Sequence, residues 1–135
     1  MYPKEHIFLG ILFSVLVFRF FPSIGLIGFL LIFLASFLID VDHYTYYVFK
    51  QKDFSIKHSF NWHVKNIGVG RKLHILHTLD FLLVLGLLSI LNTYLLYIFI
   101  GFIFHMILDV IYMYLVHEVN DRYLFFTSWV VDRGR

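Results

Sequence analysis

Gly101–Val116 reads GFIFHMILDVIYMYLV, an apolar run interrupted only by His105 and Asp109. Long apolar runs of this kind form helices in a membrane, where every backbone polar group must be satisfied inside its own segment. Ionisable side chains are expensive in hydrocarbon, so an embedded pair marks a functional site. Residues four apart share a helix face. The imidazole and carboxylate can therefore point together at a metal, at a proton or at each other.

The rest of the chain has the same character. Of its 135 residues 60% are hydrophobic and 15% charged, against about 45–50% and about 25% in soluble domains. There is no cysteine, which excludes disulfides, thiolate metal sites and thiol nucleophiles. Eight histidines against a net charge of +2 favour imidazole chemistry and give no argument for nucleic acid.

Apolar patterning predicts an all-α, integral membrane bundle of about four transmembrane helices forming one membrane domain over residues 1–135. The spans fall at about 7–21, 24–39, 73–91 and 93–116. Pro22 separates the first two, because proline cannot continue a helix interior, and Asn92–Thr93 separates the last two. Runs of 15 or 16 residues reach about 24 Å as helices, somewhat short of a hydrocarbon core of about 30 Å. Residues 40–72 form an interfacial cytoplasmic segment and residues 117–135 a tail. Within the former, FSIKHSFNWHVK alternates like a strand but also presents Phe60, Val64 and Ile67 as an amphipathic helix would. Either form places aromatics in the headgroup zone.

Lys4, Lys50, Lys52, Lys57, Lys65, Arg71, Lys72, Arg122, Arg133 and Arg135 fall at one end of this topology, and only Arg19 at the other. The positive-inside rule then puts both termini in the cytoplasm, in a cell or inner membrane. The first residues do not form a cleavable leader, since Glu5 and His6 interrupt the charged region.

The same topology gathers polar residues at that end: His6 on the first span, Asp40, Asp42 and His43 closing the second, His74 and His77 opening the third, and His105 and Asp109 on the fourth. Mixed nitrogen and oxygen donors suit a divalent transition metal, Zn²⁺ first, with Mn²⁺ or Fe²⁺ as alternatives. His6, Asp40, Asp42, His77, His105 and Asp109 are the candidate ligands, with His43 and His74 in reserve. Six donors are enough for one or two ions, and paired ions clamp the oxygens of a phosphoester. Asp40 or Asp42 is placed to accept a proton from the attacking water, and Arg71 and Lys72 to hold a phosphate. His58, His63 and His117 read as surface residues, Glu118 as peripheral, and Asp80 as a partner of a neighbouring helix or of His77.

In order along the chain, EHIFLG with His6, Ile39-Asp40-Val41-Asp42-His43, Leu76-His77-Thr78 and the helix bearing Gly101, His105 and Asp109 resemble the membrane-bound metal-dependent hydrolase family. That family includes LexA-regulated inner-membrane hydrolases. Departures from its pattern are Ile39 in place of a proline, Lys72 in place of an arginine with His74 nearby, and Val110-Ile111 after the last aspartate. A single short motif, the His-x-x-x-Asp helix, is also similar to zinc-dependent phospholipases C. The resemblance implies a metal-dependent hydrolase, and a phosphoester of a membrane lipid, met at the cytoplasmic leaflet, is the expected substrate. Two rivals make different use of the same residues: a proton- or metal-coupled transporter, and a non-catalytic module whose metal staples the helices. No clear GxxxG pair sets an oligomeric state.

Overall fold

A computed structural model describes residues 3–66, 69–115 and 122–134. Val116, His117 and Glu118 lie outside the described residues, as does Ile67. The described chain is helical: α1 (Pro3–Phe20), α2 (Gly25–Leu38), α3 (Val41–Gln51), α4 (Ile56–Lys65), α5 (Leu79–Ser89), α6 (Thr93–Leu115) and α7 (Phe126–Arg133). Two helical stretches, Pro22–Gln51 and Thr93–Leu115, are long and apolar enough to cross a membrane. α1 is apolar in its middle and carries Lys4, Glu5 and Arg19 at its ends.

α1 stops where the sequence says it must. Pro22 opens a single 3₁₀ turn over Pro22–Ile24, and Gly25 follows with φ +64°, a conformation that suits glycine. The chain reverses there, and α2 packs back along α1 and more extensively along α6. Small residues make the close approach of α2 and α6. A Cβ on Gly101 would fall 2.5 Å from the Ile32 carbonyl oxygen and 2.7 Å from Ala35 Cβ. Helices associate in this way in lipid, where backbones approach across small side chains. Ile32, Ala35 and Ile39 are buried at this seam, whereas Phe8, Leu16, Phe20, Leu26, Ile90 and Leu91 are exposed.

The segment between α2 and α5 is two helices, not a strand. α3 ends at Lys52, whose φ of +56° turns the chain. Ser55 then caps α4 by accepting from the His58 amide. The amphipathic-helix reading of FSIKHSFNWHVK therefore describes this segment, and among the described residues no strand forms, only a single bridge between Lys72 and Arg122. Ile56, Phe60 and Val64 line a cavity of about 480 Å³ beside α4.

The third apolar run is helical over a shorter stretch than residues 73–91. Thr78 caps α5 by accepting from the Phe81 amide, so the helix begins at Leu79, after both histidines. Residues 72–78 form a lead-in without α-helix, closed by a single 3₁₀ turn over Ile75–His77, and the tail lies along it: the Tyr123 amide donates to the Lys72 carbonyl at 3.1 Å, and the Leu79 amide to the Leu124 carbonyl at 2.8 Å. Asp80 accepts from the Phe126 amide at 2.6 Å, holding the start of α7 and not His77.

Candidate metal centre

His6, His77, His105 and Asp109 are buried at one end of the bundle, and Asp40 lies beside them at its rim. α1 supplies His6, the α2–α3 turn supplies Asp40, the lead-in to α5 supplies His77, and α6 supplies His105 and Asp109. Four elements distant in sequence thus contribute, because the reversals of the chain bring them to one end of the bundle.

The hydrogen bonds behind the imidazoles determine which nitrogen faces inward. His105 Nδ1 lies 2.9 Å from the Ser36 carbonyl oxygen, which can only accept, so Nδ1 carries the proton and Nε2 the lone pair. His77 Nδ1 faces the Asp42 carboxylate at 3.5 Å, which turns its Nε2 inward likewise. The two Nε2 atoms stand 3.2 Å apart. Asp40 Oδ1 is 3.7 Å from His77 Nε2 and 3.6 Å from His105 Nε2. Asp109 Oδ2 is 3.8 Å and 3.5 Å from the same two nitrogens. Acceptors that converge in this way are satisfied by a cation at their centre. His6 Nε2 approaches Asp109 Oδ1 at 3.1 Å, and the His6 ring stacks on His105 with centroids 3.9 Å apart. His6 Nδ1 is buried with no hydrogen-bond partner.

Two overlapping groups of three, His6–His105–Asp109 and Asp40–His77–His105, are close enough to hold a metal ion. The donor set of imidazoles and carboxylates fits a divalent transition metal. Asp40 occupies the N-cap position of α3, yet its side chain makes no capping bond. An aspartate cap is ordinarily worth about 1 kcal/mol, and here the carboxylate is turned to His77 and His105 instead.

Asp42 is placed differently from Asp40. Its Oδ2 accepts from the Leu76 amide at 2.6 Å and meets His77 on the Nδ1 side, outside both groups. A carboxylate behind a ligating imidazole fixes its tautomer and strengthens it as a ligand. His43 and His74 lie beside the centre, their rings 4.0 Å apart, with His43 4.8 Å from the His77 ring. His74 Nδ1 is buried with no hydrogen-bond partner.

The cavity beside α4 reaches this centre at Asp40 and Asp109, which line it together with His43, His74, Lys72 and Arg122. Lys72 lines it, its Nζ donating to the Asn66 carbonyl at 2.6 Å. Arg71 does not; it is exposed, over the Tyr123 ring at 5.8 Å. The cation that reaches the centre is Arg122, whose Nη1 donates to Asp109 Oδ2 at 2.8 Å. Its Nε and Nη2 are buried without a hydrogen-bond partner. Those two atoms form the side-on fork of the guanidinium, a match for two oxygens of one phosphate or carboxylate.

Sequence reasoning passed over Arg122, His63 and Ser36. Nothing near Arg122 signals its role, because the tail reaches the centre only by pairing with Lys72. His63 had a signal: with Ile56, Ser59, Phe60 and Val64 it shares one face of α4, the face that lines the cavity. His58, on the opposite side, is exposed and bonds Asp53, as a surface histidine should. Comparison of the chain with family models, curated proteins and solved structures gives no match.

Proposed function

We propose that this chain is an integral membrane, metal-dependent hydrolase that cleaves a phosphoester of a membrane lipid at the cytoplasmic leaflet. α1, α2, α5 and α6 would be its four spans, with both termini inside. The observation that carries the reading is the inward convergence of His77 Nε2, His105 Nε2, Asp40 Oδ1 and Asp109 Oδ2, within 3.8 Å of one another across the pairs measured, with the two carboxylates lining an apolar-walled cavity. Ten of the eleven basic residues of the chain belong to that end, which supports the orientation.

His6, Asp40, His77, His105 and Asp109 would hold the metal, Zn²⁺ being the best match to imidazole-rich donors. When bound, it supplies an acidified water and charge for a phosphoryl oxygen. The chain does the rest. Ser36 and Asp42 hold His105 and His77 in the tautomers that aim Nε2 inward. Asp40, lining the cavity, is placed to accept the proton of the attacking water. Arg122 holds Asp109 with Nη1 and presents Nε and Nη2 to the phosphate, with Lys72 on the same wall. Ile56, Phe60, Val64 and Met113 give the cavity an apolar side for the acyl or glyceryl part of an amphiphile.

Metal analysis of the detergent-purified chain, followed by incubation with mixed phospholipid vesicles, tests this. The expected result is a stoichiometric transition metal, release of a phosphorylated headgroup or phosphate, and loss of turnover with chelator. Metal-free protein, or H105A and D109A variants with full metal content, would overturn it. One observation favours a proton carrier: the 3.2 Å contact of His77 and His105 also suits a shared proton. Proton flux in liposomes, abolished in D109N and unaffected by chelator, would select that reading.

A further inference from the structure

A second set of imidazoles stands apart from the centre just described. His43 on α3, His63 on α4 and His74 on the lead-in each offer a ring nitrogen, and the three lie within 4.8 Å of one another. Their rings form a closed triangle, with centroids 4.0 Å apart for His43–His74, 5.3 Å for His43–His63 and 6.1 Å for His63–His74. We propose that His43, His63 and His74 form a separate, all-imidazole site for a Zn²⁺-class divalent cation, joined to the first centre through Asp40.

Three features support an ion here over a merely stacked cluster. First, the hydrogen bond behind His63 orients it: Nδ1 lies 3.0 Å from the Ser59 carbonyl oxygen, so Nδ1–H donates and Nε2 keeps its lone pair. Ligating histidines are held by this kind of bond. Second, His74 is buried to 3% exposure, and its Nδ1 has no hydrogen-bond partner, a costly arrangement for a polar atom that a cation relieves. Third, Asp40 Oδ1 is 3.6 Å from His43 Nε2 and 3.6 Å from His105 Nε2. One carboxylate oxygen thus adjoins both groups of donors, as a bridging ligand between paired metals does.

The chemistry of the two sites differs. Three imidazoles without a carboxylate of their own match the three-histidine catalytic zinc pattern, in which the fourth position stays open. All three residues line the 480 Å³ cavity, so the open position faces it. Only α4 brings His63 to the triangle. The amphipathic segment between the second and third apolar runs is then a ligand-bearing part of the centre as well as one wall of the cavity.

This inference rests on the reading of the first centre as a metal site, and its test separates the two. The full-length chain in detergent is loaded with Zn²⁺, and in parallel with Co²⁺ as an optical probe, desalted, and its metal counted by plasma mass spectrometry. Two ions per chain are expected for the wild type. H63Q and H74Q should each retain one and lose the same Co²⁺ absorption component. H105A should lose the other component, and H58Q, on α4 but outside the triangle, should retain both ions. Circular dichroism and elution volume confirm that each variant is folded. One ion per chain in the wild type, unchanged in H63Q and H74Q, overturns the second site and leaves the first standing. No ion in the wild type overturns both.

Discussion

Gly101→Ala tests how the helix seam sets the geometry of the centre. The added Cβ would lie 2.5 Å from the Ile32 carbonyl oxygen and 3.1 Å from the Ser36 amide nitrogen. These are backbone atoms, so no side chain can turn aside. To reach ordinary van der Waals contact α6 must retreat from α2 by about 0.9 Å, and overpacking of this kind costs about 1–3 kcal/mol. Its effect reaches the site, because His105 is one turn along α6 from Gly101 and Ser36 one turn along α2 from Ile32. A retreat of about that size carried to the next turn stretches the 2.9 Å bond from His105 Nδ1 to the Ser36 carbonyl beyond hydrogen-bonding range. Thermal unfolding in detergent should show Tm lowered by about 4–12 °C, and zinc titration should show affinity lowered at least tenfold. Gly134→Ala is the control, since its Cβ would come no closer than 3.7 Å to its neighbours. Wild-type Tm and wild-type metal affinity in the Gly101→Ala protein would refute the coupling of seam and site.

Three further outcomes follow from particular contacts. Asp42→Asn keeps an acceptor for the Leu76 amide but removes the charge behind His77, so zinc affinity should fall about 10–100-fold with stoichiometry unchanged at saturating metal, as isothermal titration will report. Arg122→Lys preserves charge but loses the side-on fork; phosphate competition should weaken about tenfold or more, consistent with about 1.5–3 kcal/mol for a charged hydrogen bond, and equal inhibition of both proteins would contradict the fork. Asp53 accepts from the Tyr47 hydroxyl, the Ser55 amide and His58, which lower its carboxyl to about 2. A depressed carboxyl stabilises the fold above its unfolded value of about 3.9, and that contribution is lost as pH falls from there through about 2. Hydrogen exchange at the α3–α4 corner should therefore rise across this window in the wild type, and an Asp53→Asn protein should show no such step.

Much of the centre is legible in the chain because the membrane-like composition makes its exceptions conspicuous. His105 and Asp109 stand in an apolar frame, His6 opens another, and Pro22 and Asn92 mark the reversals that return those frames to one end. Asp40 and Asp42 look interchangeable in sequence. They part company only because α3 starts at Val41 and directs Asp42 to the far side of His77. The start of α5 had a signal in Thr78, an N-cap residue, but Leu73, Ile75 and Leu76 conceal it by extending the apolar run backward. Arg122 is illegible for a different reason: its position depends on pairing between the lead-in and a tail fifty residues later, which no local pattern encodes.

The brevity of α5 bears on what the cavity would accept. Its 11 residues rise about 17 Å, little more than half of a hydrocarbon core of about 30 Å, and the irregular chain that follows toward the basic end carries His74 and His77. Irregular backbone at such depth is tolerated where it lines a cavity or is covered by protein, and here it does both. If α5 is a span, the proposed centre would lie below the plane of the headgroups. A lipid would have to sink its phosphate to meet it, past the α4 residues that line the cavity. Small headgroups, such as a bare phosphate or ethanolamine, would make that descent, while a bulky sugar headgroup would be stopped at the rim. Discrimination would then come from depth of access and not from contacts with the headgroup itself.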